Sequence, residues 1–159
     1  MGLHSIYYYV RENRPDKQEK TMAKIIITRG LPASGKSTWA SKQVREAENN
    51  GVVRVNKDLL RTMLHADRHG KGTEAQVLKA RDAIISTFLR SGVDVIVDDT
   101  NFAEHHIEKL GKLAERHGAE VVIEDFTHVD IETCIERDSK RTNPVGRDVI
   151  VEMYHRYLA

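Results

Sequence analysis

The stretch Gly30–Thr38 reads Gly-Leu-Pro-Ala-Ser-Gly-Lys-Ser-Thr and fits the phosphate-binding pattern G-x-x-x-x-G-K-[ST]. The β-branched run Lys24–Arg29 precedes it and predicts a buried strand, while Trp39–Val44 predicts a helix. This order matters, because the backbone N–H groups of the loop and the N-terminus of the following helix together hold an anionic phosphate. The sequence therefore predicts a nucleotide-binding P-loop.

The residue types of this loop suit a nucleoside triphosphate with a magnesium ion. Lys36 would place a positive charge on the β and γ phosphates, and the Ser37 hydroxyl is a candidate Mg²⁺ ligand. The predicted nucleotide-binding residues of the loop are Gly30, Ala33, Ser34, Gly35, Lys36, Ser37 and Thr38. The alternative is a glycine-rich turn that binds nothing.

Length, charge and cysteine content limit the class of protein. A chain of 159 residues predicts one domain with its own core, and a formal net charge of +1 excludes a general polyanion-binding surface. The single cysteine, Cys134, is expected in the core of a protein from a reducing compartment. No apolar run approaches the roughly 20 residues that span a bilayer. We therefore expect a cytoplasmic protein with no membrane partner; its oligomeric state stays open.

The hydrophobic pattern beyond the loop alternates between strands and helices. Further strands are predicted at 52–56, 93–97 and 120–124, with helices between them. Three helix boundaries are also predicted. The first helix stops near Asn49, and a capping box at Thr73 and Gln76 begins the long helix. The helix capped by Asp130 runs to about Arg141. The fold class is α/β, an open parallel sheet of about four strands with helices on both faces and a C-terminal lid.

The first 21 residues do not follow this alternation. Ile6–Val10 is apolar and compatible with an added edge strand, but the polar run Arg11–Lys20 follows it. We predict residues 1–21 to be an N-terminal arm or an upstream extension, and residues 22–159 to be the α/β domain.

Two side chains after the second strand suit phosphoryl transfer to a hydroxyl group. In parallel α/β sheets, ligands bind beyond the carboxyl ends of the strands, and Asp58 lies just beyond one. Its carboxylate is a candidate proton acceptor, and Arg61, three residues later on the same helical face, is a candidate anchor for an anionic acceptor. Alternatively, Asp58 stabilises the helix start and Arg61 lies on a solvated face.

Two aspartates follow the third strand. Asp98 and Asp99 resemble the acidic strand end that holds magnesium in many P-loop proteins. Asp99-Thr100-Asn101 is equally compatible with a turn whose side chains bond the backbone.

A basic segment near the C-terminus suits a lid. Arg137 and Arg141 are four residues apart, as on one helical face, and Pro144 breaks the helix soon afterwards. A hinged basic segment can close on donor phosphates and offset the charge that develops during transfer. The alternative is that these cations only favour a helix C-terminus.

With these residues in place, the sequence resembles the kinase domain of bacteriophage polynucleotide 5′-kinases, which phosphorylate 5′-hydroxyl ends of DNA and RNA. The resemblance runs from Lys24 to Leu158 and rests on four motifs in order: Gly35-Lys36-Ser37-Thr38-Trp39-Ala40, Asn56-x-Asp58-x-x-Arg61, Asp99-Thr100-Asn101 and Arg137-x-Ser139-Lys140-Arg141. It implies a P-loop kinase domain over residues 22–159 that transfers the γ-phosphate of ATP, with Mg²⁺, to a 5′-hydroxyl end.

The resemblance also implies roles for individual residues. Lys36 and Ser37 would act on the donor phosphates and magnesium, Asp58 as the general base and Arg61 on the acceptor phosphate; Arg141 would be the lid arginine, joined by Arg137 on the donor and Asp99 on the acceptor. Ala33 departs from the glycine that these enzymes often carry, and the D-x-D-G-T motif of a 3′-phosphatase domain is missing. Two other functions stay open: a small-molecule kinase for a sugar, an antibiotic or a nucleotide sugar, and a nucleotide-gated binding module.

Overall fold

The computed structural model describes residues 22–159, so the expected N-terminal arm or upstream extension lies outside the described residues. Four parallel strands form one sheet in the order β2-β3-β1-β4. They are β1 (Lys24–Arg29), β2 (Val52–Val55), β3 (Asp94–Val97) and β4 (Glu120–Asp125). The predicted α/β fold is confirmed.

Six α-helices occur within the described range. They are α1 (Lys36–Glu46), α2 (Lys57–His65), α3 (Lys71–Arg90), α4 (Glu104–Arg116), α5 (Ile131–Ser139) and α6 (Arg147–Tyr157). None of them is long and apolar enough to cross a membrane.

The two central strands, β1 and β3, lie in the core. Ile25 pairs with Val95 and Ile27 with Val97, and all four side chains are fully buried. Helices α3 and α4 cover this face of the sheet with side chains such as Val77, Ile85, Leu110 and Leu113. Burial on both faces explains why these strands are nearly continuous apolar runs.

The chain connections create a crevice between β1 and β3. From β1 the chain crosses over to β2 at one edge, whereas from β3 it crosses in the opposite direction to β4. Right-handed crossovers in opposite directions place α1 and α4 on opposite faces, and ligands bind where the direction reverses. The backbone N–H of Gly30 donates to the Thr100 carbonyl at 3.1 Å, which joins the loops that follow the two strands.

A second, smaller core attaches the C-terminal helices to the P-loop. Leu31 of the loop, Phe102, Cys134 of α5 and Ile150 of α6 are all buried together. Cys134 is a free, buried cysteine, as expected. This cluster fixes the segment between α5 and α6 above the loop.

Three predicted helix ends are wrong. The first helix stops at Glu46, and a 3₁₀ turn with Asn49 at φ +53° precedes β2. The long helix begins at Lys71 after Gly70; Thr73 is already inside it, and its hydroxyl donates to the Gly70 carbonyl at 2.9 Å rather than forming a capping box. The helix that Asp130 caps, as predicted, ends at Ser139, so Arg141 lies beyond it and not on one helical face with Arg137.

Candidate active site

The P-loop adopts a conformation that depends on its glycines. Gly35 precedes α1 with φ at +103°, a region that favours glycine. A Cβ on Gly30 would meet the Cβ of Phe126 at 2.8 Å and the Ser34 hydroxyl oxygen at 2.9 Å. Ala33 has φ at +61°, so the position where the family resemblance leads one to expect glycine is left-handed as well. The loop tolerates alanine there only with some backbone strain.

Lys36 is folded back onto its own loop. Its ammonium group, buried with the rest of the side chain, donates to the carbonyl oxygens of Gly30 at 2.9 Å and Leu31 at 2.5 Å. Burial lowers the pKa of Lys36 to about 8, although the nearby Asp98 carboxylate partly opposes this shift. A phosphate in the loop would offer this cation a charged acceptor in place of the two carbonyls.

A cavity of about 490 Å³, which we call the P-loop cavity, lies beside the loop. It brings together predicted residues from the loop and the lid: Ala33, Gly35, Lys36, Ser37, Thr38, Arg137 and Arg141. Trp39 and Lys42 also border it. Gly30 and Ser34 do not border it; both are buried, and the Ser34 hydroxyl oxygen accepts from Lys36 Nζ at 3.4 Å.

A second cavity of about 240 Å³, the Asp58 cavity, adjoins the first and shares Lys36, Ser37 and Arg141 with it. Its other walls include Asp58, Arg61, Asp98 and Asp99, so the predicted acceptor residues meet the donor residues in one place. The side chain of Asp58 is 85% exposed. It does not cap α2, because Asn56 does so by accepting from the Leu59 N–H at 2.9 Å.

Arg61 is held by two carboxylates and is not on a solvated face. Its guanidinium is 10% exposed and donates through Nη1 to Asp58 at 2.7 Å and through Nη2 to Glu74 of α3 at 2.6 Å. Lys57 Nζ lies 3.5 Å from the other Glu74 oxygen, and the Arg61 hydrogen bond is the main reason that the pKa of Glu74 is lowered. Glu74 thus fixes both cations beside Asp58, a role that sequence reasoning missed.

The aspartates after β3 have separate environments. Asp98 is 1% exposed; its Oδ2 accepts from Arg54 Nε at 2.6 Å, while its Oδ1 has no partner among the described residues. Asp99 Oδ1 accepts from the Lys57 N–H at 3.0 Å, and burial raises the pKa of Asp99. The Asn101 amide donates to backbone carbonyls, including Thr28 at 2.8 Å. Asn101 therefore forms the turn, and both carboxylates border the Asp58 cavity.

The donor set fits Mg²⁺ better than a metal that needs an all-protein cage. Ser37 borders both cavities, and the unpartnered Oδ1 of Asp98 belongs to a residue that borders one of them. Residues 22–159 contain no group of three or more His, Cys, Asp or Glu side chains that could hold a metal. Mg²⁺ usually takes few protein ligands and completes its shell with phosphate and water. Held by Ser37 and Asp98, it would neutralise phosphate charge.

The lid segment, which we define as residues 140–146, is fixed by one buried carboxylate. Asp138 accepts from the N–H groups of Val145 at 3.2 Å and Gly146 at 2.9 Å, with a different oxygen for each. Arg141 Nη1 lies 3.6 Å from the same carboxylate. Arg141 borders both cavities, so Asp138 links the shape of the segment to the position of its arginine.

A P-loop, two adjoining cavities and a basic lid at the ends of β1 and β3 define a P-loop kinase. The AAA domain family model matches residues 25–158, and the chain belongs to this family. The fold and the site thus agree on a phosphotransferase.

The relatives include polynucleotide kinases. A protein of Autographa californica nuclear polyhedrosis virus described as a bifunctional polynucleotide kinase/RNA ligase is 26% identical over 144 residues, 84% of this chain and 21% of the relative. The 2′,3′-cyclic-nucleotide 3′-phosphodiesterase of Rattus norvegicus is 29% identical over 100 residues, 62% of this chain and 23% of the relative. The Pnkp1/Rnl/Hen1 RNA repair complex contains a chain with a TM-score of 0.74 and 26% identity, covering 85% of this chain and 44% of that chain. This chain spans less than a quarter of both curated relatives.

Proposed function

We propose that this domain transfers the γ-phosphate of ATP to the 5′-hydroxyl end of DNA or RNA. The observation that carries the proposal is the position of Asp58: an exposed carboxylate beside the buried Arg61, in a cavity that shares Lys36 and Ser37 with the P-loop cavity. In this proposal Asp58 is the proton acceptor and Arg61 is the cation that binds the acceptor's phosphate, both opposite the expected donor phosphates. The polynucleotide kinase relatives support the same acceptor class.

The reaction follows from this arrangement. The Asp58 carboxylate accepts the proton of the 5′-hydroxyl while the hydroxyl oxygen forms a bond to the γ-phosphorus. The bond between that phosphorus and the β,γ-bridging oxygen breaks, and ADP is the leaving group. Lys36 and Arg141 offset the negative charge on the transferring group. Arg61 holds the phosphate on the 3′ side of the first nucleotide, so the hydroxyl is positioned by a group that does not react.

A small-molecule kinase is the second candidate, and one observation favours it. Two of the five N–H donors of Arg61 are already bound to Asp58 and Glu74, so an acceptor phosphate would meet a cation whose charge two carboxylates of the protein already offset. A neutral acceptor would not depend on the charge of Arg61. The third candidate, a nucleotide-gated binding module, is less well supported, because such a switch has no use for an acceptor base at Asp58.

The test is transfer of labelled phosphate from ATP to 5′-hydroxyl DNA, 5′-hydroxyl RNA and a panel of sugars. Asp58→Asn should keep ATP binding but lose roughly 10²- to 10⁴-fold in transfer, the range typical of a general base. Asp148→Asn is the matched control, because Asp148 is an exposed acid in the first turn of α6, as Asp58 is in α2. Equal losses in the two variants, or transfer to sugars alone, would overturn the proposal.

A further inference from the structure

A third cavity continues the Asp58 cavity towards α4 and α6. This His106 cavity has a volume of about 130 Å³ and shares Lys57, Asp99, Thr100 and Met153 with the Asp58 cavity. Its space is several times what one water molecule needs. The mechanism proposed above does not use it, since Asp58 and Arg61 border the Asp58 cavity and not this one.

The walls of the His106 cavity suit a flat, uncharged ring. Tyr157 lies parallel to Phe102, with ring centroids 5.1 Å apart and an interplanar angle of 12°, and the Met153 side chain lies beside them. His106 borders the cavity from α4. Burial, and secondarily the nearby Lys57 ammonium, lower the pKa of His106 to about 4, so its imidazole is neutral at physiological pH. Tyrosine and histidine rings are common stacking partners of nucleobases.

The polar groups of the cavity are mostly occupied by the protein. The Asn101 amide donates to three backbone carbonyls, and Asp99 Oδ1 accepts from the Lys57 N–H. The ring of His106 stays available to a ligand, because among the described residues it has no hydrogen-bond partner and its contact is with the neighbouring His105 ring, at 4.1 Å between centroids.

Lys57 lies at the boundary between the two cavities, where a phosphate would pass. Lys57 and Arg61 contact different oxygens of Glu74, so two cations stand side by side at this point.

We propose that the first phosphate of the acceptor rests between Lys57 and Arg61 and that the His106 cavity binds the base of the second nucleotide, so that the site prefers a dinucleotide end to a single nucleotide. The proposal rests on the proposed function, and it specifies the acceptor as a strand of at least two nucleotides. Recognition is by stacking and is tolerant of base identity, because every base has a π face.

The experiment compares three 5′-hydroxyl acceptors: a nucleoside 3′-phosphate, a dinucleotide, and the same dinucleotide with an abasic second position. For the parent protein, kcat/KM should be about 10-fold higher for the dinucleotide than for its abasic analogue, as expected for one stacked base. His106→Ala should bring this ratio close to one, and His106→Phe should restore it because a phenyl ring keeps the stacking face. Glu108→Ala is the matched control: Glu108 is an exposed residue of the same helix and does not border the cavity, so the ratio measured for this variant should match that of the parent protein.

A second readout detects stacking without turnover. A dinucleotide with 2-aminopurine at the second position should lose fluorescence on binding to the parent protein and to Glu108→Ala, but not to His106→Ala. Equal use of the dinucleotide and its abasic analogue by the parent protein, or the same ratio in the two alanine variants, would overturn the subsite. If the parent protein phosphorylates neither the nucleoside 3′-phosphate nor the dinucleotide, the proposed function fails and this inference fails with it.

Discussion

The protonated form of the buried Lys36 is unfavourable until the ammonium group gains a phosphate partner. Its folded pKa of about 8 lies below the usual 10.5 because the side chain is buried among neutral loop groups. Bound phosphate stabilises the protonated form, so nucleotide binding should raise this pKa and take up a proton above about pH 8. Affinity for the nucleoside triphosphate should therefore fall, up to about tenfold per pH unit, as the pH rises through that value.

The proton uptake can be measured directly. Titration calorimetry at pH 8.5 in buffers with different ionisation enthalpies should show a net uptake for the parent protein and none for Lys36→Met, which keeps the length of the side chain without the charge. An affinity that is flat between pH 7.5 and 9.5 would show that the Lys36 ammonium is not the group that meets the phosphate.

Ala33 carries backbone strain that glycine would remove. Its φ of +61° is left-handed, where an L side chain costs roughly 1 to 2 kcal/mol. Removing this strain stabilises the folded state, but the greater entropy of glycine in the unfolded chain offsets part of the effect. Ala33→Gly should therefore raise the free energy of unfolding, measured with denaturant, by about 0.5 to 1 kcal/mol.

The control for this substitution is Ala40→Gly. Ala40 is fully buried inside α1, where glycine is unfavourable, so this variant should lose at least about 1 kcal/mol. Equal destabilisation by the two substitutions would mean that position 33 is not strained.

At the scale of elements, the geometry of the lid segment depends on the side chain of Asp138. Each Asp138 oxygen accepts one N–H of the segment, and the carboxylate attracts Arg141. Asp138→Asn keeps the shape but loses one acceptor and the charge, so Arg141 should be less well placed. We expect KM for ATP to rise about 10-fold, with a smaller change in KM for the acceptor, as for Arg141→Ala.

A double-mutant cycle separates positioning from a general structural effect. If Asp138 acts through Arg141, Asp138→Asn should change KM for ATP little in an Arg141→Ala background. Glu136→Gln is the control, since Glu136 is an exposed acid of α5 that pairs only with Lys140 at the surface. Additive effects of the two substitutions on KM would contradict the positioning role.

The elements themselves were predictable, and their ends were less so. β1 and β3 are apolar runs and α4 has a 3.6-residue pattern, so local sequence indicates both types of element. The start of α3 and the end of α5 depend instead on Gly70 and on Asp138, whose partners lie up to eight residues away. A local pattern does not show which of several polar residues will take the backbone groups.

The site was predictable where its residues are neighbours in the chain. The P-loop is contiguous, and Asp58 and Arg61 share one helical turn. Glu74 and Arg54 were missed because their partners are 13 and 44 residues away, across the α2–α3 contact and the β2–β3 register. Such pairs exist only once the tertiary structure has formed.

For the whole molecule, the net charge of +1 has to be reconciled with a polyanionic acceptor. Arg68 and Lys71, the basic residues that follow α2, do not border the Asp58 cavity; Lys57 does, and it lies beside Arg61. Two cations at one point imply a contact with no more than about two phosphates.

A contact this short predicts a weak dependence on salt. Each phosphate contact to a single strand contributes roughly −0.7 to the slope of log affinity against log salt, so the slope should lie between about −0.7 and −1.4. Lys57→Ala should reduce its magnitude by roughly 0.7, independently of base sequence, because a phosphate contact positions the strand without reading it. Lys71→Ala, at the exposed start of α3, is the control and should leave the slope unchanged.

Binding of 5′-hydroxyl oligonucleotides of 2, 6 and 20 nucleotides across a salt series measures the slope and its dependence on strand length. A slope steeper than about −3 that grows with length would show instead that the strand follows an extended basic surface, and Arg61 with Lys57 would then not be the main anchor.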